Sequence, residues 1–380
     1  MRILIVHQFL WSHYKAGIFK QLEKLVGEDQ SSELHIIQTA KYEKSRLDFG
    51  EADTTIHDYK YELLFDDVYE NTGLINRVKK VLSRIREFKP DVINLPGYYE
   101  PAMILVHFIS KVLGIKVILS IDSTEGDNPN TWHGELIKKI IIGAADGFFC
   151  YGTMAADYMK KLGASEDEIL MRRNSVNNDR VFKIYSNHKL SEEFKTERPK
   201  YPKHNFIFVG RFLEIKNLTM LINAFQKLDA GEEWGLILVG DGPLKPQMKE
   251  IINGNPQISI LPPQEWHGVP KKMALADILI LPSYSEPWGL VTNEAMVCEM
   301  PVIVSQKCGS SADLVKNGYN GFTFDAYNET DLIEKMRFFV KDSSKIQEFG
   351  QNSSELIKTF SPERVAQDML TGFKKVVDKK

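Results

Sequence analysis

An α/β fold built on two parallel, Rossmann-like sheets is predicted by three observations on this 380-residue sequence. Short apolar runs alternate with amphipathic stretches from one end of the chain to the other. The strand-like runs are apolar at successive positions rather than at every second one, the pattern of strands covered by helices on both faces. The length suits two domains, and residues 184–204 (IYSNHKLSEEFKTERPKYPKH) read as a connection, polar, with two prolines and no apolar period. A single (β/α)8 barrel is the rival architecture, but the number of strand candidates fits two sheets better.

In chain order, strands are expected at 2–7, 33–38, 91–95, 116–121, 147–150 and 169–171. Past the connection they recur at 206–209, 235–239, 257–261, 278–281 and 301–304. Helices are expected at 74–88, 101–113, 134–144, 153–162, 217–228, 244–252, 291–299 and 330–340. The first domain is therefore read as 1–187 and the second as 205–360. A last helix opens at Ser361-Pro362-Glu363, with Ser at the N-cap and Pro at the first helical position. Its apolar residues Val365, Met369, Phe373 and Val376 recur at helical spacing.

Composition narrows the class. With 48 basic and 51 acidic residues the net charge is −3, and neither half carries the cationic excess that a nucleic acid backbone requires. The three cysteines, Cys150, Cys298 and Cys308, are far apart with one necessarily left over, so no disulfide framework or structural zinc site is expected and a reducing, cytoplasmic setting is. The first residues read as a strand, their apolar run being too short for a signal peptide. The longest apolar stretch, 101–121, is interrupted by His107, Lys111 and Lys116 and split by Gly114, so a membrane span is not expected. The basic stretch 74–89 has two readings: a core-facing helix with a solvated basic face, or a surface that touches the inner face of an anionic membrane.

No phosphate loop, dinucleotide fingerprint, nucleophile elbow or H-E-x-x-H motif is present. The acidic pairs Glu51/Asp53 and Glu125/Asp127 are weak candidates for a metal, and none is expected. The second half is richer. A strand ends at Gly210-Arg211 with Lys216 just ahead of a helix. Crevices at the carboxyl ends of parallel strands bind ligands, and an Arg with a Lys suits an anion there. A second strand ends at Val239-Gly240-Asp241-Gly242-Pro243, where glycines permit close backbone approach. A third ends in Leu281-Pro282-Ser283-Tyr284-Ser285-Glu286-Pro287-Trp288-Gly289-Leu290-Val291-Thr292-Asn293-Glu294. A helix beginning near Leu290 leaves the N–H groups of Gly289, Leu290 and Val291 for a phosphate. Glu286 and Glu294 fit hydroxyl groups of a sugar and a ribose better than they fit an anion.

These residues resemble the retaining, family-4-like glycosyltransferases of the GT-B fold. The marks are Val209-Gly210-Arg211 with Lys216, the Val239–Pro243 segment, Ala276–Ser283, Glu286-Pro287-Trp288-Gly289 with Glu294-Ala295-Met296, Met300–Ser305 and Asn320-Gly321-Phe322. Looser matches lie at Pro90–Ile93, Gly114–Ile118 and Ala144–Gly147. The resemblance implies two Rossmann-like domains whose parallel sheets face a central cleft, the first binding acceptor and the second a nucleotide-diphospho-sugar. It implies that Arg211 and Lys216 neutralise the departing diphosphate, that Glu286 holds the donor sugar and Glu294 the ribose. Gly210, Gly240, Gly242, Trp288, Gly289, Leu290 and Val291 complete donor binding. No metal and no cofactor are implied, and the C-terminal helix 363–380 is expected to return to the first domain.

The sequence departs from the family in places. The loop His7-Gln8-Phe9-Leu10-Trp11-Ser12-His13-Tyr14 replaces a glycine-rich one, and Asp122 stands where a His is usual, which makes it the candidate at the acceptor side. Pro262 and Pro263 replace a glycine near the nucleobase, leaving the base open. Cys308 is expected to pack locally. The expected activity is transfer of a sugar to a saccharide or lipid-linked acceptor in cell-surface polysaccharide or glycolipid synthesis. A sugar-nucleotide 2-epimerase or phosphorylase of the same fold, or a non-catalytic partner of another transferase, are the alternatives.

Overall fold

The computed structural model describes residues 1–10, 12–29, 31–44, 53–127 and 132–379. The chain divides into two units. The first comprises Met1–Ser175 with Pro362–Lys380, and the second Val176–Ser361. Each is a doubly wound parallel sheet.

In the first unit the strands are β1 (Arg2–Phe9), β2 (Glu33–Tyr42), β3 (Glu62–Val68), β4 (Val92–Pro96), β5 (Lys116–Ile121), β6 (Gly147–Cys150) and β7 (Ile169–Arg172). Their order in the sheet is β3-β2-β1-β4-β5-β6-β7, all parallel, so the winding reverses between β1 and β4. The inner strands are buried on both faces, which is why they lack polar alternation. Helices 74–88, 101–112, 132–144 and 153–161 cover one face through Val81, Ile85, Val106, Ile141 and Met159. The other face is covered by helix 14–28 through Phe19 and Leu22, and by the last helix, Pro362–Asp378, through Val365, Met369, Phe373 and Val376. Phe373 meets Phe149 of β6 edge to face at 5.1 Å. The last residue of the expected 363–380 helix, Lys380, lies outside the described residues.

The second unit holds β8 (His204–Val209), β9 (Trp234–Val239), β10 (Ile258–Leu261), β11 (Ile278–Leu281), β12 (Val302–Ser305) and β13 (Gly321–Phe324). The order is β10-β9-β8-β11-β12-β13, again parallel, with the reversal between β8 and β11. Two strands escape the sequence reading, β3 and β13. Both lie at sheet edges, and neither is a continuous apolar run: β3 is interrupted by Asp66-Asp67 and β13 is only four residues long.

The expected boundary requires correction. Residues 176–187 group with the second unit, not the first, because helix 178–189 packs on helices 269–273 and 291–297 and buries Val181 and Tyr185. Nor is 184–204 irregular. A further helix runs over Glu192–Glu197, capped by the Ser191 hydroxyl, which accepts from the N–H of Phe194 at 3.2 Å. It has no apolar stripe because it is fastened partly by ion pairs, Glu197 to Lys272 at 2.7 Å and Glu193 to Lys271 at 3.8 Å. The polarity that suggested a linker belongs to an exposed, salt-bridged helix.

Candidate active site

In open parallel sheets, ligands bind beyond the carboxyl ends of the strands where the winding reverses. In the second unit that point lies between β8 and β11, and nearly all the motif residues of the sequence converge on it. The loops after β8 and β9 are joined by backbone hydrogen bonds. Gly210 N–H donates to the Val239 carbonyl at 3.0 Å, Phe212 N–H to Asp241 at 2.8 Å, and Leu244 N–H to Phe212 at 3.2 Å. This closeness explains the glycines. A Cβ on Gly240 would sit 1.9 Å from the Gly210 carbonyl oxygen, and one on Gly242 would sit 2.5 Å from that of Phe212.

Arg211 projects from this joint, exposed, and makes no ion pair or side-chain hydrogen bond with the described residues. Its charge is uncommitted. Lys216 closes a short 3-10 turn, and its ammonium is bonded to the carboxylate of Glu286, both side chains being largely sheltered. Asn217 follows in the left-handed region at φ 56°, which Asn tolerates. Its side-chain amide donates to the carbonyls of Pro282 and Ala326 at 3.2 and 2.9 Å. That clamp ties the Lys216 turn to the loop after β11.

Glu286 lies in that loop. Its backbone bridges the segment after β12: Glu286 N–H donates to Lys307 at 3.3 Å, and Gly309 N–H returns to Glu286 at 2.9 Å. Gly289 adopts φ +87°, and a Cβ there would meet Leu281 Cδ2 at 2.7 Å. Helix 291–297 begins immediately after. The backbone N–H groups of Gly289, Leu290 and Val291 have no acceptor among the described residues, as the first turn of a helix requires.

Trp288, expected at the donor, is instead buried. Its indole N–H donates to Asn293 Oδ1 at 2.8 Å, so the ring fixes the turn from beneath. Glu294 is also buried, with no side-chain partner among the described residues, and desolvation raises its carboxyl to about 8. A sheltered carboxyl without a protein donor is matched to a ligand that brings hydroxyl groups.

Asp122 belongs to the first unit, just past β5. Its side chain reaches solvent, yet desolvation by the surrounding protein raises its carboxyl while Lys15 opposes that rise. In the same unit, toward the carboxyl end of β1, His7 Nδ1 pairs with Gln38 Oε1 at 2.9 Å, Gln38 donates to the Tyr59 hydroxyl at 2.8 Å, and that hydroxyl pairs with His57 Nδ1 at 3.0 Å. Burial lowers both His7 and His57 to about 4. Trp11 of the same loop lies outside the described residues.

Of the acidic pairs, Glu51 lies outside the described residues and Asp53 accepts from Thr55 N–H at 3.0 Å. Glu125 is paired with Lys161, and Asp127 accepts from Thr124 N–H and hydroxyl at 2.6 and 2.8 Å. Among the described residues no three His, Cys, Asp or Glu side chains are grouped to hold a metal.

Sequence reasoning missed the clamp made by Asn217 and the bracing of the Glu286 loop by residues 305–311. The signal for the second was Gly309, where a Cβ would fall 1.9 Å from the Pro287 carbonyl oxygen. Cys308 does pack locally, fully buried, its thiol raised by desolvation.

Known proteins similar to this chain in sequence are glycosyltransferases, and solved structures share its fold. Residues 191–356, somewhat under half of the chain, match the family described as glycosyl transferases group 1. An uncharacterized glycosyltransferase of Methanocaldococcus jannaschii is 27% identical over 358 residues, covering 92% of each chain. The sulfoquinovosyl transferase of Arabidopsis thaliana is 23% identical over 289 residues, covering 73% of this chain and 55% of that one. Among solved structures, Anabaena HepE in complex with UDP and glucose has a TM-score of 0.72 at 17% identity, covering 98% of this chain and 99% of that one. The chain has the GT-B fold, and its residues 191–356 match the model of glycosyl transferases group 1.

Proposed function

We propose that the chain is a retaining, metal-independent glycosyltransferase needing no cofactor, which moves a sugar from a nucleotide-diphospho-sugar to a saccharide or lipid-linked acceptor. The observation that carries this reading is the set of groups beyond β8 and β11. An uncommitted Arg211, the Lys216–Glu286 pair, and the partnerless Glu294 carboxyl lie around free N–H groups. Arg211 and Lys216 serve the diphosphate, whose charge grows as the glycosidic bond breaks, so they stabilise the transition state more than the ground state. Glu286, released from Lys216 as phosphate approaches, accepts from hydroxyls of the donor sugar. Glu294 accepts from the ribose. Gly210, Gly240 and Gly242 keep the backbone low enough for the donor, and Gly289, Leu290 and Val291 supply amide donors.

Asp122, beyond β5 in the other unit, is proposed at the acceptor side. The cytoplasm, where nucleotide sugars are donors for cell-surface polysaccharide or glycolipid, is the proposed setting. The structure of HepE with UDP makes UDP-sugars the first donors to try.

The test is a thermal-shift panel of nucleotide sugars, followed by transfer and hydrolysis assays with and without EDTA. Arg211→Ala and Lys216→Ala should each lower kcat about a hundredfold, with unchanged melting for Arg211→Ala. Near-wild-type turnover in both variants removes the leaving-group role. A donor converted to its 2-epimer with no transfer would identify an epimerase. Failure of every nucleotide sugar and nucleoside diphosphate to stabilise the chain would favour a non-catalytic partner.

A further inference from the structure

We propose that the outer face of helices 101–112 and 132–144 docks the chain on an anionic phospholipid bilayer, lying on the membrane rather than crossing it. Of the two readings of the basic stretch 74–89, a solvated helix face or a membrane surface, the second is weakened because the structure commits much of that charge internally. Arg77 is buried against Glu100 at 3.0 Å, Arg84 is held by Glu62 at 2.6 Å, and Lys80 bonds the Leu64 carbonyl. What remains exposed there is Leu74 and Ile75 with Lys79, Arg86 and Lys89.

The next two helices are inverted. Both turn apolar residues inward, as they must, through Met103, Val106, Ile141 and Ile142. They are apolar outward as well. Trp132 is 71% exposed and Val112 88%, and Leu105, Leu136, Ile137 and Ile140 are all exposed. Helix 101–112 packs between helices 74–88 and 132–144 on the same side of the sheet, so these outer faces form one surface. Contiguous exposed apolar area of this kind marks a contact site.

Charge selects the occupant. The exposed cations around the patch that form no ion pair are Lys79, Arg86 and Lys139, against one acidic group, Glu135 on helix 132–144, likewise in no ion pair among the described residues; Glu87 is engaged with Arg84, and Asp146 with Lys111 and Lys116. A second copy of the chain seated on the same face would bring the same mainly cationic rim against itself across a twofold axis. A bilayer of anionic lipid offers the opposite sign together with an apolar interior. Trp132, at the start of its helix, has the amphipathic ring suited to headgroup depth. Among the described residues no helix is long and apolar enough to cross a membrane, which leaves interfacial seating. This inference does not depend on the transferase reading, since binding is measured without any nucleotide sugar.

The experiment is co-sedimentation of the full chain with vesicles of phosphatidylcholine alone and of phosphatidylcholine with phosphatidylglycerol. Binding is expected only with the anionic lipid and should weaken at high salt. Leu136→Glu/Ile140→Glu changes two exposed positions and should abolish binding while leaving the melting profile intact. Lys79→Glu should weaken binding at least about fivefold, the scale of one cation near an anionic surface. Ile75→Ser controls for loss of apolar residues outside the two helices and should bind nearly as the parent does. Vesicle binding that survives Leu136→Glu/Ile140→Glu overturns the proposal. So does absence of vesicle binding, whether the chain sediments as a monomer or as a dimer that the same substitutions dissociate.

Discussion

Replacing Glu294 by Gln should remove a pH dependence that the wild-type chain carries on the alkaline side. The carboxyl is buried without a protein donor, and desolvation raises it from an ordinary 4.5 to about 8. Between those values the native chain keeps a proton that the unfolded chain has released. Stability therefore falls as pH rises through this window, by about 1.4 kcal/mol per pH unit, and levels off above pH 8 after a loss of about 5 kcal/mol. Glutamine keeps the shape and has no proton to lose. The two proteins should match within about 1 kcal/mol at pH 5, and the Gln variant should be the more stable by several kcal/mol at pH 9. Urea unfolding followed by hydrogen exchange and mass spectrometry reads the second unit separately from the first, which matters in a chain of two units. The same site predicts that UDP binds the ionised carboxylate, so wild-type affinity should tighten as pH rises toward 8. Below that pH, binding should release a proton detectable by calorimetry in buffers of different ionisation heat. An identical pH profile for stability in both proteins would refute the reasoning at its first step.

The first unit should show the opposite trend. His7 and His57 are lowered from 6.5 to about 4, so between those values the unfolded chain binds protons that the native chain refuses, and stability is lost as pH falls. Peptides of β1 and β2 should lose exchange protection at pH 5 relative to pH 7; greater protection at pH 5 would contradict this. Gly240→Ala should abolish nucleotide binding and lower stability, because its Cβ meets a backbone oxygen at 1.9 Å, whereas Gly27→Ala, with nothing within 4 Å, should be neutral or stabilising. Phe373→Ala empties a fully buried site against Phe149 and should cost about 3–5 kcal/mol. That loss should be read in first-unit peptides, and deletion of 363–380 should go further; equal loss in second-unit peptides would reject the assignment.

Much of the architecture was legible because it rests on burial. Strands such as Val302–Ser305 are apolar at nearly every position since helices cover both faces, and that pattern survives without knowledge of neighbours. Two edge strands lack that pattern, Glu62–Val68 because Asp66 and Asp67 interrupt its apolar run and Gly321–Phe324 because it is four residues long with Gly and Thr in it, and both were missed. Helix 192–197 was hidden for a related reason, its attachment including ion pairs to Lys271 and Lys272 on a distant stretch of chain. In the site, glycines could be located from sequence since they mark close backbone approach at Gly240 and Gly289. The direction in which a side chain points could not. Trp288 and Glu294 both belong to the motif, and only packing shows that the first is used to brace the turn while the second is left without a partner.

The return of Pro362–Asp378 to the first sheet has a consequence for how the chain is made. The second unit is continuous from Val176 to Ser361 and is complete in sequence before the last helix leaves the ribosome. The first unit, although its strands are synthesised earliest, must wait for helix 362–378 to cover the part of its apolar face formed by Phe149 and Met171. Synthesis order and completion order are thus reversed. The half that emerges first is the half left exposed longest, and a ribosome stalled near residue 361 would release a finished second unit attached to a partly uncovered sheet.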